Sequence, residues 1–307
     1  MRLLMVGAGG IGGYFGARFA AAGHDVTFVA RGATLAALRE RGLTVESAVA
    51  PAQLAVKATD RVEDADRPEV VVLCTKLADL DAAASQVAPI AGGALVVTTQ
   101  NGVEAPDIVA RHIERERIAP GVAQIGVAIK APGVIAHTGT LARLRVGTVA
   151  DGPPVTEVDG FVAAGRQSGI DIERVDDIQR ALWEKFVFLV AVSGTACLAR
   201  QNVGVIREDP DLRATLRDAM GEVTTVARAR GVGLSDDFVD RQLAFIDGLH
   251  PQMRPSLLVD LTEGRRLEAP WLSGAVVRMA AAAGIDVPVM RTLYAALKPY
   301  LDGAPAH

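Results

Sequence analysis

The feature that most limits what this chain can fold into lies at its start. Residues 1–12 read MRLLMVGAGGIG, in which the short apolar run LLMV breaks into glycines at Gly7, Gly9, Gly10 and Gly12. YFGARFAAAG follows with helical spacing, and DVTFVA then reads as a second strand. A strand, a Gly-x-Gly-x-x-Gly turn, a helix and a second strand form the βαβ unit that binds dinucleotides. Each glycine has a task in that setting. Gly7 permits the tight turn, Gly9 lets the backbone approach a pyrophosphate, and Gly12 lets helix and strand pack closely. Ala8, Gly10 and Ile11 complete the loop, which opens a helix whose first N–H groups have no partner in their own helix and can meet phosphate. Without this context the motif would be a glycine-rich turn. Here the spacing predicts a cofactor-binding loop over residues 7–12.

Arg31 sharpens that expectation. It follows DVTFVA directly, where a site for NAD places an acid to hold the ribose 2′-hydroxyl. An arginine at that position suits the 2′-phosphate of NADP(H) instead. Asp25 sits at the wrong end of the strand to take the acid's role.

Strands and helices continue to alternate through the first half: VVVLCT, the helical LADLDAAASQVAPI, ALVVTT, then IGVAIK, GVIAHTG and TLARLRVG as further strands. The stretch between DVTFVA and VVVLCT is less regular. EVDGFVAAGRQSG reads as a helix and IDIERV as a last strand. Such alternation predicts a parallel sheet with helices on both faces. From Asp177 the segments are almost all helical, several with Asp or Ser near the start and Gly past the end. The expected fold is therefore α/β: an N-terminal Rossmann-type parallel-sheet domain over residues 1–176 and an all-helical domain over residues 177–307.

Two more strand ends reach the edge that carries the glycine loop. VVVLCT runs into Lys76, and ALVVTT into Gln100, Asn101 and Gly102. An asparagine there suits a nicotinamide ribose or a substrate oxygen, and a lysine suits a carboxylate. Read locally, Asn101-Gly102 is also an ordinary turn and Lys76 an ordinary surface lysine. In the second half, ALWEKFVFLVAVSG is apolar nearly all round yet contains Lys185. A lysine in an apolar wall has its pKa lowered by desolvation, which suits a general acid. A lysine near a helix start can equally snorkel to water.

Composition narrows the partners. The net charge of −4 argues against a nucleic-acid binder. With 50% hydrophobic residues but only 4% aromatics, the core must be aliphatic. The two cysteines, Cys74 and Cys197, support neither a disulfide framework nor zinc spacing, so no metal site is expected and both read as buried free thiols of a cytoplasmic protein. The N-terminal apolar run is too short for a signal peptide. FVFLVAVSGTACL falls short of the roughly 18 residues of a membrane span, so no membrane partner is expected.

Taken together, GAGGIG, Arg31, Lys76, Gln100-Asn101-Gly102, Trp183-Glu184-Lys185, and Ser256 followed by Glu268 resemble the ketopantoate reductases (2-dehydropantoate 2-reductases) along nearly the whole chain. The resemblance implies a Rossmann domain, a helical domain and an active site in the cleft between them. It implies NADPH-dependent reduction of a 2-oxo acid, ketopantoate to pantoate or a related substrate. Position by position, Lys185 matches the catalytic proton donor, and Glu268 the acid that hydrogen-bonds at the reacting end, to cofactor and substrate. Ser256 matches a ligand of the substrate carboxylate, though alone it reads as an N-cap. Asn101 matches the asparagine near nicotinamide and substrate, and Lys76 a lysine at the cofactor edge.

Two departures stand out. The family's substrate helix carries asparagines one and two turns beyond the lysine; here those substrate-facing positions are Leu189 and Ser193. After Glu268 the family often has an acid and then an aromatic-Asn-Gly, where this chain has Ala-Pro-Trp-Leu-Ser-Gly. The expectation is a paralogue acting on a different, more apolar 2-oxo acid. Reduction of another carbonyl or an imine, and a regulator that binds NADPH without turnover, are the alternatives. The apolar helices suit a homodimer and a monomer's core equally.

Overall fold

Residues 1–304 are described by the computed structural model. They group into two units: residues 1–101 with 105–181, and Gly102–Glu104 with the chain from Leu182 onward. In the first unit the elements are β1 (Arg2–Val6), α1 (Gly10–Ala21), β2 (Asp25–Val29), α2 (Gly32–Arg41), β3 (Leu43–Glu46), β4 (Ala52–Leu54) and β5 (Lys57–Thr59). Next come β6 (Val70–Leu73), α3 (Leu77–Val87), β7 (Leu95–Thr98), α4 (Ala105–Val109), β8 (Ile118–Ala131), β9 (Val134–Val146), α5 (Val155–Gln167) and β10 (Asp171–Arg174).

The centre of the sheet follows from unbroken aliphatic runs. LLMV, VVVL and LVV are buried throughout, as strands covered on both faces must be. Alternate residues serve opposite faces. Leu3, Met5, Val70, Val72, Leu95 and Val97 share one core with Tyr14, Phe15 and Phe19 of α1 and Phe161 of α5. The strand order is β4-β3-β9-β8-β7-β6-β1-β2-β5, with β10 beside β9. Strands β5, β2, β1, β6, β7 and β8 run parallel. From β1 the chain goes first to β2 on one side and later to β6 on the other, so β1 is the point where the winding reverses.

The parallel sheet expected from the sequence is present, and antiparallel pairs extend it. β8 and β9 are antiparallel, as are β3 and β4. The cause is local. Ala131 pairs with Val134 across Pro132-Gly133, and Gly133 has φ +77, the left-handed position that a proline–glycine turn requires. GVIAHTG and TLARLRVG, read as two strands, are the single strand β9. Their apparent break is a bulge: Val127 pairs with His137 and Ile125 with Ala142, so Thr138–Leu141 lie opposite Gly126 alone. Gly139 takes φ +77 within it. The stretch read as irregular folds into α2 and the short strands β3, β4 and β5.

The second unit contains most of α6 (Ile178–Ala199), then α7 (Val203–Glu208), α8 (Pro210–Ala229), α9 (Phe238–Asp247), α10 (Ser256–Thr262), α11 (Ser273–Ala283) and α12 (Pro288–Leu297). Helix α7 is an addition to the sequence reading. α8 begins as its sequence suggests, with Asp209 accepting from the N–H groups of Asp211 and Leu212 and Pro210 in the first turn. α6 is 22 residues long, so it meets the membrane-span length that its apolar run alone did not, but 67% of its apolar window is buried inside the protein. It is a core helix: Phe186, Val187, Val190 and Ala191 share one cluster with Met220, Val223, Leu258, Val276, Met290 and Leu293.

One carboxylate fastens two of these helices. Glu222 of α8 accepts from the N–H groups of Val289 and Met290, both at 2.8 Å. It satisfies donors that the first turn of α12 cannot pair itself. Glu222→Ala should lower unfolding free energy by about 1 kcal/mol, as loss of a capping oxygen does; chemical denaturation checks this, and an unchanged midpoint would contradict the capping role.

Candidate dinucleotide and catalytic sites

In the first unit the carboxyl ends of β1, β2, β6 and β7 form one edge, and the sequence-predicted residues of this unit collect there. The glycine loop leaves β1 between its two neighbours. Gly7 N donates to Val29 O at 3.0 Å and Cys74 N donates to Val6 O at 2.8 Å. Gly7 has φ +104, and a Cβ there would lie 3.0 Å from the Cys74 carbonyl carbon and 3.1 Å from Thr75 N. A Cβ on Gly12 would lie 2.0 Å from Gly7 O. These two glycines are demanded by the fold itself.

Gly9 differs. Its φ of −79° is open to any residue, and a Cβ would meet only Ile129 Cδ1, at an ordinary 3.8 Å. Nothing inside the chain asks for glycine there. Gly9 is the N-cap of α1, supplies no side-chain cap, and is followed by a first turn without acids. That leaves a bare backbone surface at the positive end of a helix, as a pyrophosphate needs.

The neighbouring strand ends are tied together by Gln100, already placed at this edge by the sequence, and by Thr99, which the sequence did not single out. Gln100 is buried; its Nε2 donates to Leu73 O at 2.9 Å and Thr75 O at 3.1 Å. Its Oε1 accepts from Thr99 N at 3.1 Å. Thr99 Oγ1 also donates to Leu73 O, at 2.9 Å. Gln100 thus fixes the ends of β6 and β7 and with them the start of the chain to Asn101. Thr75 Oγ1 is buried without a hydrogen-bond partner within the protein. An orphaned hydroxyl beside the glycine loop is a polar atom awaiting a ligand. Its only signal in the sequence was its place at the end of VVVLCT.

Arg31 stands as the N-cap of α2, exposed, with no acid in that helix's first turn. Its Nη2 donates to Gln86 Oε1 at 2.9 Å. A cation at the positive end of a helix is unfavourable until an anion joins it. Lys76 holds the corresponding N-cap place before α3 and is exposed. The bare Gly9 backbone, the Thr75 hydroxyl and Arg31 together fit a dinucleotide, whose phosphates are anionic.

In the second unit, Lys185 lies half-buried on α6, one residue before the buried Phe186. Trp183 and Phe186 meet edge to face at 5.4 Å and anchor this turn. Leu189 is half-buried one turn on, and Ser193 is buried, its Oγ donating back to Val190 O at a long 3.4 Å. Ser256 is exposed as the first residue of α10. Its expected cap role is corrected: Pro255 takes the N-cap, and no side chain caps that helix. Glu268, half-buried, is the N-cap of a 3-10 turn formed by Ala269–Trp271, so the departure after the acid produces a local turn. Leu257 and Leu258 follow Ser256, Leu267 and Ala269 flank Glu268, and all four belong to the core that holds α6.

Neither thiol is activated as a nucleophile by its surroundings. Cys197 is buried and Cys74 half-buried, and both are free. Burial pushes each thiol up to about 12, so at neutral pH both stay protonated and unreactive.

Comparison with known proteins agrees with this geometry. Residues 3–151 match the family described as "Ketopantoate reductase PanE/ApbA", and residues 177–301 match its C-terminal part. A 2-dehydropantoate 2-reductase of Archaeoglobus fulgidus is 32% identical over 292 residues, with 95% of each chain covered. One from Halobacterium salinarum is 32% identical over 95% of this chain and 96% of its own. The crystal structure of 2-dehydropantoate 2-reductase from Geobacter metallireducens superposes with a TM-score of 0.90 at 30% identity, covering 97% of this chain and 99% of that one.

The contrast between the glycines can be tested. Gly12→Ala should destabilise the fold, because its methyl meets a backbone oxygen. Gly9→Ala should leave the melting temperature within a degree or two yet weaken dinucleotide binding about tenfold or more, at roughly 1.4 kcal/mol per tenfold. Thermal melts with cofactor titration separate the two; equal loss of stability in both variants would contradict the assignment.

Proposed function

The chain belongs to the ketopantoate reductase family, and from that membership we propose that it reduces a 2-oxo acid to the 2-hydroxy acid with NADPH. The observation that carries the cofactor choice is Arg31, set at the head of α2 with a neutral amide as its hydrogen-bond partner. Residues 7–12 and Thr75 hold the pyrophosphate side of the cofactor, and Arg31 takes the 2′-phosphate. Lys76 and Asn101 serve the edge nearer the substrate. The free thiols support a reducing, cytoplasmic setting.

When bound along residues 7–12, the nicotinamide cofactor would supply the hydride for reduction of a carbonyl carbon. Lys185 donates a proton to the carbonyl oxygen, and its ammonium stabilises the negative charge that gathers there. Glu268 hydrogen-bonds at the reacting end, and the Ser256 hydroxyl receives the substrate carboxylate. The specificity positions support a substrate other than ketopantoate. Leu189 presents an apolar group one turn beyond the lysine, and the Ser193 hydroxyl faces back to its own helix. Neither replaces the two carboxamides that recognise a substrate hydroxyl in the family. A 2-oxo acid with an apolar side chain suits them.

Lys185→Ala should lower kcat by about 10²- to 10⁴-fold, the usual worth of general-acid catalysis, while NADPH still binds with unchanged Kd. Steady-state kinetics beside a fluorescence titration check this; turnover retained without Lys185 would contradict the role. Leu189→Asn should raise kcat/KM for ketopantoate relative to its analogue without the hydroxyl by about 2- to 10-fold, the worth of one hydrogen bond.

A further inference from the structure

We propose that Gln86, in the last turn of α3, is a positioning residue that sets the preference for NADPH by holding Arg31. The inference rests on the NADPH reading above and concerns a residue outside the motifs.

The argument begins with the charge. Arg31 is exposed on a long side chain at a helix N-terminus, where the helix field repels it. A free guanidinium there would sample many rotamers and drift toward solvent, and ordering it on binding would subtract from affinity. The Gln86 carboxamide oxygen accepts from Nη2 at 2.9 Å across 55 residues of sequence. This one bond engages one of five N–H donors and leaves the rest for an anion.

The chemistry of the partner matters as much as its reach. Most arginines of this chain that carry a side-chain bond pair with a carboxylate, among them Arg143 with Asp171, Arg174 with Asp159 and Arg213 with Asp247. A carboxylate at position 86 would also hold Arg31, but it would neutralise the guanidinium and repel a phosphate dianion. A carboxamide orients the group without spending its charge. Gln86 is itself exposed and contributes nothing to the core, so fold stability does not require it.

The test measures Kd for NADPH and NADH by fluorescence titration in the wild type, Gln86→Ala, Gln86→Glu, Arg31→Ala and the double variant Arg31→Ala/Gln86→Ala. Gln86→Ala should weaken NADPH by about 3- to 10-fold, the cost of ordering one long side chain, and leave NADH and kcat at saturating NADPH unchanged. Gln86→Glu should weaken NADPH further. In the Arg31→Ala background Gln86→Ala should have no effect, because its partner is gone. Equal weakening of both cofactors, or an unchanged NADPH to NADH ratio in Gln86→Ala while Arg31→Ala abolishes it, would overturn this inference alone. An unchanged ratio in Arg31→Ala would overturn the NADPH reading beneath it.

Discussion

The approach of a helix end to a strand end, with no side chain between them, is the contact on which the first unit depends. Gly12 lies so near the Gly7 carbonyl that a methyl group would stand 2.0 Å from it. That closeness points the first turn of α1 across the carboxyl ends of the parallel strands, at the place where the winding reverses around β1. The position of every other polar group at that edge follows from it. Gln100 then locks β6 to β7 by bonds to Leu73 O and Thr75 O, which sets where Thr75, Lys76 and Asn101 emerge.

Electrostatics adds direction to this geometry. Three helices, α1, α2 and α3, start at the carboxyl edge, and their N-cap residues Gly9, Arg31 and Lys76 supply no side-chain cap. Two of them place a cation, Arg31 or Lys76, at the N-cap. Stability alone would favour Asp or Ser at such positions. Asp209 at α8 and Glu222 at α12 are carboxylates placed in that way. Arg31 and Lys76 instead set a cation at the N-cap, at the edge where the proposed cofactor would bring an anion.

Much of this was legible in the sequence, because its signals are local. Continuous aliphatic runs give buried parallel strands, and the spacing of glycines after LLMV gives the loop. The place of Arg31 just beyond β2 was readable because that strand's end was marked in the sequence. The parts that were not legible depend on partners far away in the chain. Thr75 and Gln100 look like ordinary strand-end residues until three strands are side by side. Gln86 reads as an exposed helix residue until Arg31 arrives from 55 positions away. The bulge in β9 imitates a strand break, since Thr-Gly-Thr carries the same turn chemistry in either setting. Ser256 missed its cap role because Pro255, with backbone already extended, occupies that place.

The second unit holds the proposed catalytic residues on a well-packed core. Lys185, Ser256 and Glu268 come from different elements, yet the residues beside each belong to one apolar core. The identities at 189 and 193, which depart from the family's pattern, lie on the well-packed helix that carries Lys185. The account therefore locates change in substrate choice rather than in reaction type. The most direct measurement is kcat/KM, with NADPH as reductant, for ketopantoate beside the same 2-oxo acid lacking its hydroxyl. The account predicts that the analogue is reduced at least as efficiently. A kcat/KM for ketopantoate far above that of the analogue would contradict it.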